Sequence, residues 1–347
     1  MSPVRILFLG DVLTDRLYDS IVDPVAPFIC NLEGPLADSG TPIQGKINIR
    51  SKKELFYANF KSLPLAVCLA NNHIMDYGDD GFLETTDFLR SYNILFFGAG
   101  DSDNNYNNPL VVNMGGVTVG IGGYCQIPYS ERPEHVSHLN FRPAPADPDR
   151  VSSDIREMKR KGSERIILNF HWGREESSLP ITEQIILARK CIDMGADLII
   201  GHHSHTVQPI EEYKSKKIFY SLGNYLFPSL DLMCDFSENG APQKRANKIL
   251  CPWNKSSIGA TIDIETLGHE ITYFKSDDYG VAEKKSPYHR YLSCNLEKDI
   301  DVLDQITQQH RKVRRLLRVG YLFWKSPRIP KMGTVINLLK TITGRLA

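Results

Sequence analysis

Five places in the chain hold side chains that could carry chemistry together: Asp11, Glu33, Asn72 with His73, His171, and the run His202-His203-Ser204-His205. Each follows a short apolar run: 4–9, 27–32, 65–70, 165–170 and 197–200. Runs of that length read as buried strands. In open α/β sheets, sites form in the crevice beyond the carboxyl ends of the strands. Five strands thus aim carboxylate, amide and imidazole groups at one sheet edge. This mixed N/O set suits Mn, Fe, Zn or Co, and suits Ca or an all-cysteine site poorly. A divalent ion held there would polarise a phosphoryl or carbonyl oxygen, and a pair of ions could clamp both attacking and leaving oxygens.

The elements that must position these residues are legible in outline. Helices are expected at 79–92, at 148–161 with Asp147 as cap, and at 181–194, stopped by Gly195. Gly115-Gly116 marks a hairpin between runs at 110–113 and 117–122. Further strands are expected at 94–97, 217–221, 259–264 and 271–275. The alternation predicts an α/β fold with a β-rich later part.

The motifs around these residues resemble the CapA-type capsule or poly-γ-glutamate synthesis proteins. They are Gly10-Asp11-Val12, Asn31-Leu32-Glu33, Ala70-Asn71-Asn72-His73 with Asp76-Tyr77-Gly78, His171-Trp172-Gly173-Arg174-Glu175, Gly201 to Pro209, and Tyr220-Ser221-Leu222-Gly223-Asn224-Tyr225. Six motifs in order make the resemblance specific over about residues 4–227. It implies a calcineurin-like metallophosphoesterase fold, a layered α/β sandwich over 1–280, and one or two divalent ions (Mn, Fe or Zn). Asp11 matches the first aspartate ligand, and Glu33 stands where a carboxylate can bridge two metals. Asn72 matches the amide ligand, His73 the neighbouring catalytic histidine and His171 a ligand histidine. Two of His202, His203 and His205 match the last ligand pair. His203 and His205 are favoured, because alternate residues of an extended segment point the same way.

The resemblance implies phosphoester hydrolysis in extracellular-polymer biosynthesis. His73, with Asp76, would assist proton movement to the leaving oxygen, and Arg174 would hold an anionic group. Two departures stand out. The superfamily's Asp-x-His start is here Asp11-Val12-Leu13, and its Asp-x-x-Asp is here Asn31-Leu32-Glu33. The loss of one ligand after Asp11 motivates a second reading, a non-catalytic metal-binding component of a membrane polymer-synthesis complex.

Several features read as ordinary structure. His135, His138, His269, His289 and His310 have no strand-end partners, and Trp172 reads as a packing residue. Ser221-Leu222-Gly223-Asn224 lacks the Gly-x-Ser-x-Gly pattern of a nucleophile elbow and reads as support for the histidine loop. The polar stretch with Lys46, Asn48 and Arg50 reads either as a solvated face or as a flank that binds an anionic polymer or phosphate.

Composition bounds the rest. The chain has 347 residues, and 41% of them are hydrophobic, too many for a disordered chain. Seven scattered cysteines with no Cys-x-x-Cys pair exclude a disulfide framework of the usual kind and a cysteine zinc site. The apolar stretch before Asp11 is too short for a signal peptide. These features predict a cytoplasmic protein. The formal charge is zero, yet residues 305–347 carry ten basic residues and no acidic one, which leaves 1–304 at −10. The expected second unit, 281–347, is a helical basic C-terminal extension. Its candidate partners are a membrane surface, a synthase or the acidic body itself. The expected substrate is anionic or phosphorylated, a small molecule or a polymer. The negative body argues against nucleic acid.

Overall fold

Alternation along the strands sorts the apolar side chains into layers. In Arg5–Val12, Ile6 and Phe8 face one side while Leu7 and Leu9 face the other. In Arg165–His171, Ile167 faces the side that Ile166, Leu168 and Phe170 turn away from. That two-residue period is what a pleated strand imposes. The computed structural model describes residues 4–21, 24, 26–44, 46–104, 106–126, 139–236, 242–277 and 280–284, together with Val313 and Leu317.

Two sheets result. The first runs in the order Ser20–Ile21, Gly280–Lys284, His269–Ser276, Ser256–Asp263, Arg5–Val12, Phe28–Leu32, Ala66–Cys68, Leu95–Phe97, with Asn224–Leu226 also paired to Arg5–Val12. The second runs Ile210–Tyr213, Lys216–Phe219, Leu198–His202, Arg165–His171, Val117–Cys125, Leu110–Met114. Between them lies a core that includes Phe8, Ile29, Phe97, Ile121, Ile167, Ile200 and Phe219. Helices Lys53–Asn59 and Gly78–Ser91 cover the outer face of the first sheet through Phe56, Phe82 and Leu89. Helices Pro148–Arg160 and Thr182–Asp193 cover the second through Val151, Ile155, Ile185 and Ala188. The layered α/β sandwich is therefore helices, sheet, sheet, helices.

The three expected helices form within one or two residues of their predicted bounds. Asp147 caps Pro148–Arg160 by accepting from Asp149 N and Arg150 N at 3.1 and 3.0 Å, which satisfies two of the four orphan donors of a helix start. The short helix Lys53–Asn59 and the hairpin of Leu230–Phe236 with Pro242–Lys248 were not legible in the sequence. The strand Gly280–Lys284 carries the first sheet past residue 280. The helical basic extension expected beyond it lies outside the described residues, save for Val313 and Leu317, which are helical. Among the described residues no helix is long and apolar enough to cross a membrane.

The carboxyl ends of the central strands of both sheets open at the same edge. Parallel register sets Asp11 beside Asn31 in the first sheet and His171 beside His202 in the second. Asp11 also registers with Asn224. That approach requires glycine at position 10, where a Cβ would lie 1.9 Å from the carbonyl oxygen of Gly223.

Candidate metal centre

The strand ends bring the expected residues into two adjoining groups. In the first, ligand atoms of Asp11, Glu33 and His205 lie within 4.8 Å of one another, and all three side chains are buried. His205 Nδ1 stands 3.5 Å from Asp11 Oδ2, and its Nε2 stands 3.4 Å from Glu33 Oε1. In the second, His171 Nε2 meets Asn72 Oδ1 at 2.8 Å and His203 Nδ1 at 3.2 Å. Asn31 ties the groups together, because its Nδ2 donates to Asp11 Oδ1 at 2.9 Å and lies 3.3 Å from His171 Nδ1.

His203 and His205 both enter the cluster, but not for the reason alternation suggests. The segment after Leu198–His202 is not extended. His203 has φ 86° and His205 φ 54°, in the left-handed region that side chains with a Cβ rarely adopt. Such strain persists only where the surroundings over-determine it, and it gathers at functional sites. Here Asn254 supplies part of that hold: its Nδ2 donates to the His205 carbonyl at 3.0 Å, and its carbonyl accepts from Asn224 Nδ2 at 3.1 Å. Asn224 Oδ1 in turn lies 2.8 Å from His205 Nδ1. An amide oxygen only accepts, so Nδ1 carries the proton and Nε2 is left as a donor atom for a cation. His202 takes a different place, with Nδ1 3.3 Å from Asp11 Oδ1.

The donor set fits a divalent cation. Asp11 Oδ2, both Glu33 oxygens, His202 Nδ1 and His205 Nε2 are buried without a hydrogen-bond partner. Native proteins rarely leave such atoms unpaired, since each costs about 1–3 kcal/mol or more when charged. One electrophile between them would satisfy most at once. The charge states of Asp11, His171 and His203 agree. Burial opposes ionisation of Asp11, but the adjacent His202 and His205 rings hold its carboxyl well below the usual range. Burial keeps His171 well below the usual imidazole range and brings His203 down to about 3, so both are neutral, as ligation requires. Burial pushes Glu33 up to about 8, and the Glu33 carboxylate lifts His205 to about 9 against its own burial. With no cation between them, that pair retains at least one proton through neutral pH.

His73 and Asp76 form a dyad beside the second group. His73 Nδ1 lies 2.7 Å from Asp76 Oδ2, which also accepts from Ile49 N at 2.7 Å. Lys46 pairs with Asp76 Oδ1 and donates to the Asn72 carbonyl at 2.6 Å. Burial lowers His73 from its ordinary value. Within the polar stretch at 46–50, Lys46 and Asn48 are engaged internally and Arg50 is exposed. Lys46 braces Asp76, Asn48 closes its own loop on Ile43, and the Arg50 guanidinium lies 4.6 Å above the Tyr77 ring. Arg174 is partly buried. Trp172 is fully buried and donates to the Tyr220 carbonyl at 2.9 Å, a packing role. Leu13, at the position of the absent ligand, is buried in an apolar cluster with Ile49, Phe227, Leu230 and Leu250.

Sequence reasoning missed the bracing residues. Asn31 and Asn224 stood inside quoted motifs without a role, and Asn254 had no motif to mark it.

The chain matches the family described as "Bacterial capsule synthesis protein PGA_cap" over residues 5–229. It is 32% identical over 243 residues to the "PGA biosynthesis protein CapA" of Bacillus subtilis (strain 168), an alignment that covers 63% of this chain and 62% of that one. It is 32% identical over 190 residues to the "Capsule biosynthesis protein CapA" of Bacillus anthracis, covering 52% of this chain and 44% of that one. The match thus spans 44% and 62% of the lengths of these two relatives. Among solved structures, the 5'-nucleotidase from Candida albicans SC5314 aligns with a TM-score of 0.43 at 10% identity, covering 89% of this chain and 58% of that one.

Proposed function

We propose that this chain, which belongs to the family of bacterial capsule synthesis proteins PGA_cap, is a metal-dependent hydrolase of the phosphoester type. It would act in capsule, exopolysaccharide or poly-γ-glutamate biosynthesis. The observation that carries the reading is the set of buried donor atoms at the strand ends that have no hydrogen-bond partner in the protein. Asp11, Glu33 and His205 would hold one divalent ion, and Asn72, His171 and His203 a second. A bound ion supplies Lewis acidity toward a phosphoryl oxygen. The rest falls to the chain. Asp76 orients His73 through Nδ1, which leaves Nε2 as the atom that would take a proton as water attacks and pass it to the leaving oxygen. Lys46 keeps Asp76 in place as the acceptor. Arg174 would take an anionic group of the substrate. Metal analysis of the purified protein, followed by a phosphoester panel with added Mn²⁺, tests the reading. A folded sample with neither bound metal nor hydrolysis overturns it.

A second reading is supported by Leu13, whose burial among apolar side chains leaves the usual ligand position after Asp11 without a donor. In that reading the chain is a non-catalytic metal-binding component of a membrane polymer-synthesis complex. The basic segment 305–347 would then dock to a membrane or a synthase from the cytoplasmic side. Replacing His171 and His203 by Ala separates the two: polymer output that persists in cells favours the non-catalytic role. Liposome flotation at low salt, full length against a 1–295 truncation, tests the basic segment.

A further inference from the structure

A cation with a replaceable partner stands beside the cluster. Lys248 closes the strand Pro242–Lys248, and its Nζ lies 5.5 Å from the centre of the Phe227 ring. That ring is 4.9 Å from the ring of His205. One aromatic side chain therefore separates the ammonium from a proposed ligand. Nζ donates to Glu175 Oε2 at 3.3 Å, longer than a tight charge-assisted bond. The two side chains are 20% and 43% exposed, so the pair is open to solvent on the Glu175 side. The ammonium draws the Glu175 carboxyl far below its usual range, and its charge is felt at Glu33, His73, His203 and His205. The cluster itself holds two carboxylates, Asp11 and Glu33, which would repel an incoming anion.

We infer that Lys248 is a second oxyanion-binding residue of this site besides Arg174, held by Glu175 beside Phe227 until an anionic group of the substrate takes the carboxylate's place. The inference rests on the reading of the cluster as the substrate-handling site. It defines the substrate as one that bears a phosphoryl or carboxylate oxyanion near the reacting bond. Isothermal titration of the full chain preloaded with Mn²⁺ tests it, with inorganic phosphate and glutarate as separate probes. The probe that binds identifies the source of the oxyanion. Lys248→Gln should weaken that binding by about tenfold, Lys248→Arg should restore most of it, and Glu175→Gln should strengthen it by about threefold. Mn²⁺ uptake should be the same in all four proteins. Affinity unchanged in Lys248→Gln, loss in Glu175→Gln, or no binding of either probe to the Mn²⁺-loaded wild type overturns the inference. If the wild type takes up no Mn²⁺, the metal reading falls, while probe binding lost in Lys248→Gln still upholds this one.

Discussion

Metal uptake should compete with protons, and the pair Glu33 and His205 sets how steeply. Burial pushes the Glu33 carboxyl up to about 8, and the charge of an ionised Glu33 lifts His205 to about 9, so the pair carries at least one proton at neutral pH. A ligand must shed its proton to bind, so affinity falls as pH drops below these values. One proton released per ion makes the affinity fall tenfold per unit. Between pH 8 and pH 6 that is about 100-fold, or about 3 kcal/mol, and the slope doubles if His205 also loses its proton. The metal-free protein moves oppositely. Both folded values lie above the ordinary ones, so the folded state binds extra protons. Its stability therefore declines as pH rises from about 5 toward 9. The gap in melting temperature between Mn²⁺-loaded and metal-free protein should widen from pH 6 to pH 8. Titration calorimetry in two buffers of different ionisation enthalpy should count at least one proton released per ion at pH 7. Glu33→Gln should flatten both trends and stabilise the metal-free protein at pH 8 by at most about 5 kcal/mol, the cost of ionising a carboxyl with that shift. A gap that stays constant with pH, or no proton release, refutes the assignment of Glu33 as a ligand.

The remaining predictions concern the scaffold around the ligands. Asn224→Ala removes the acceptor that fixes the His205 ring and should lower Mn²⁺ affinity about 10–100-fold in titration calorimetry, with the fold retained by circular dichroism. Asp76→Ala leaves Lys46 and the Ile49 N–H without their buried acceptor and should cost about 3–5 kcal/mol in urea unfolding. In the hydrolase reading it also lowers kcat more than KM. Gly10→Ala drives a Cβ to within 1.9 Å of the Gly223 carbonyl, so the strand Arg5–Val12 must part from its neighbour. Destabilisation by about 1–3 kcal/mol or more, with loss of Mn²⁺ uptake, is expected from thermal melts and metal analysis.

What could be read from the chain alone divides along a physical line. Asp11, Glu33, His171 and the histidine run were visible because each sits at the end of an apolar run, and apolar runs are local signals. Parallel pairing then brings successive strand ends together whatever the loops between them do, so the common edge followed without coordinates. The groups that aim the ligands obey no such rule. Asn254 reaches the carbonyl of His205 across 49 residues, and Lys46 reaches Asp76 across 30, through side chains on loops whose shape no period encodes. The histidine loop shows the difference sharply. Alternation favoured His203 and His205, and both rings do reach the cluster, yet the backbone there is left-handed at each and not extended. A strand would have pointed them from one face of a pleat. The actual loop turns each ring separately, so that His203 meets His171 while His205 faces Asp11 and Glu33. The division of the cluster into two groups is therefore a property of that strained turn, and it arises from the tertiary hold of Asn254 and Asn224 rather than from ligand spacing.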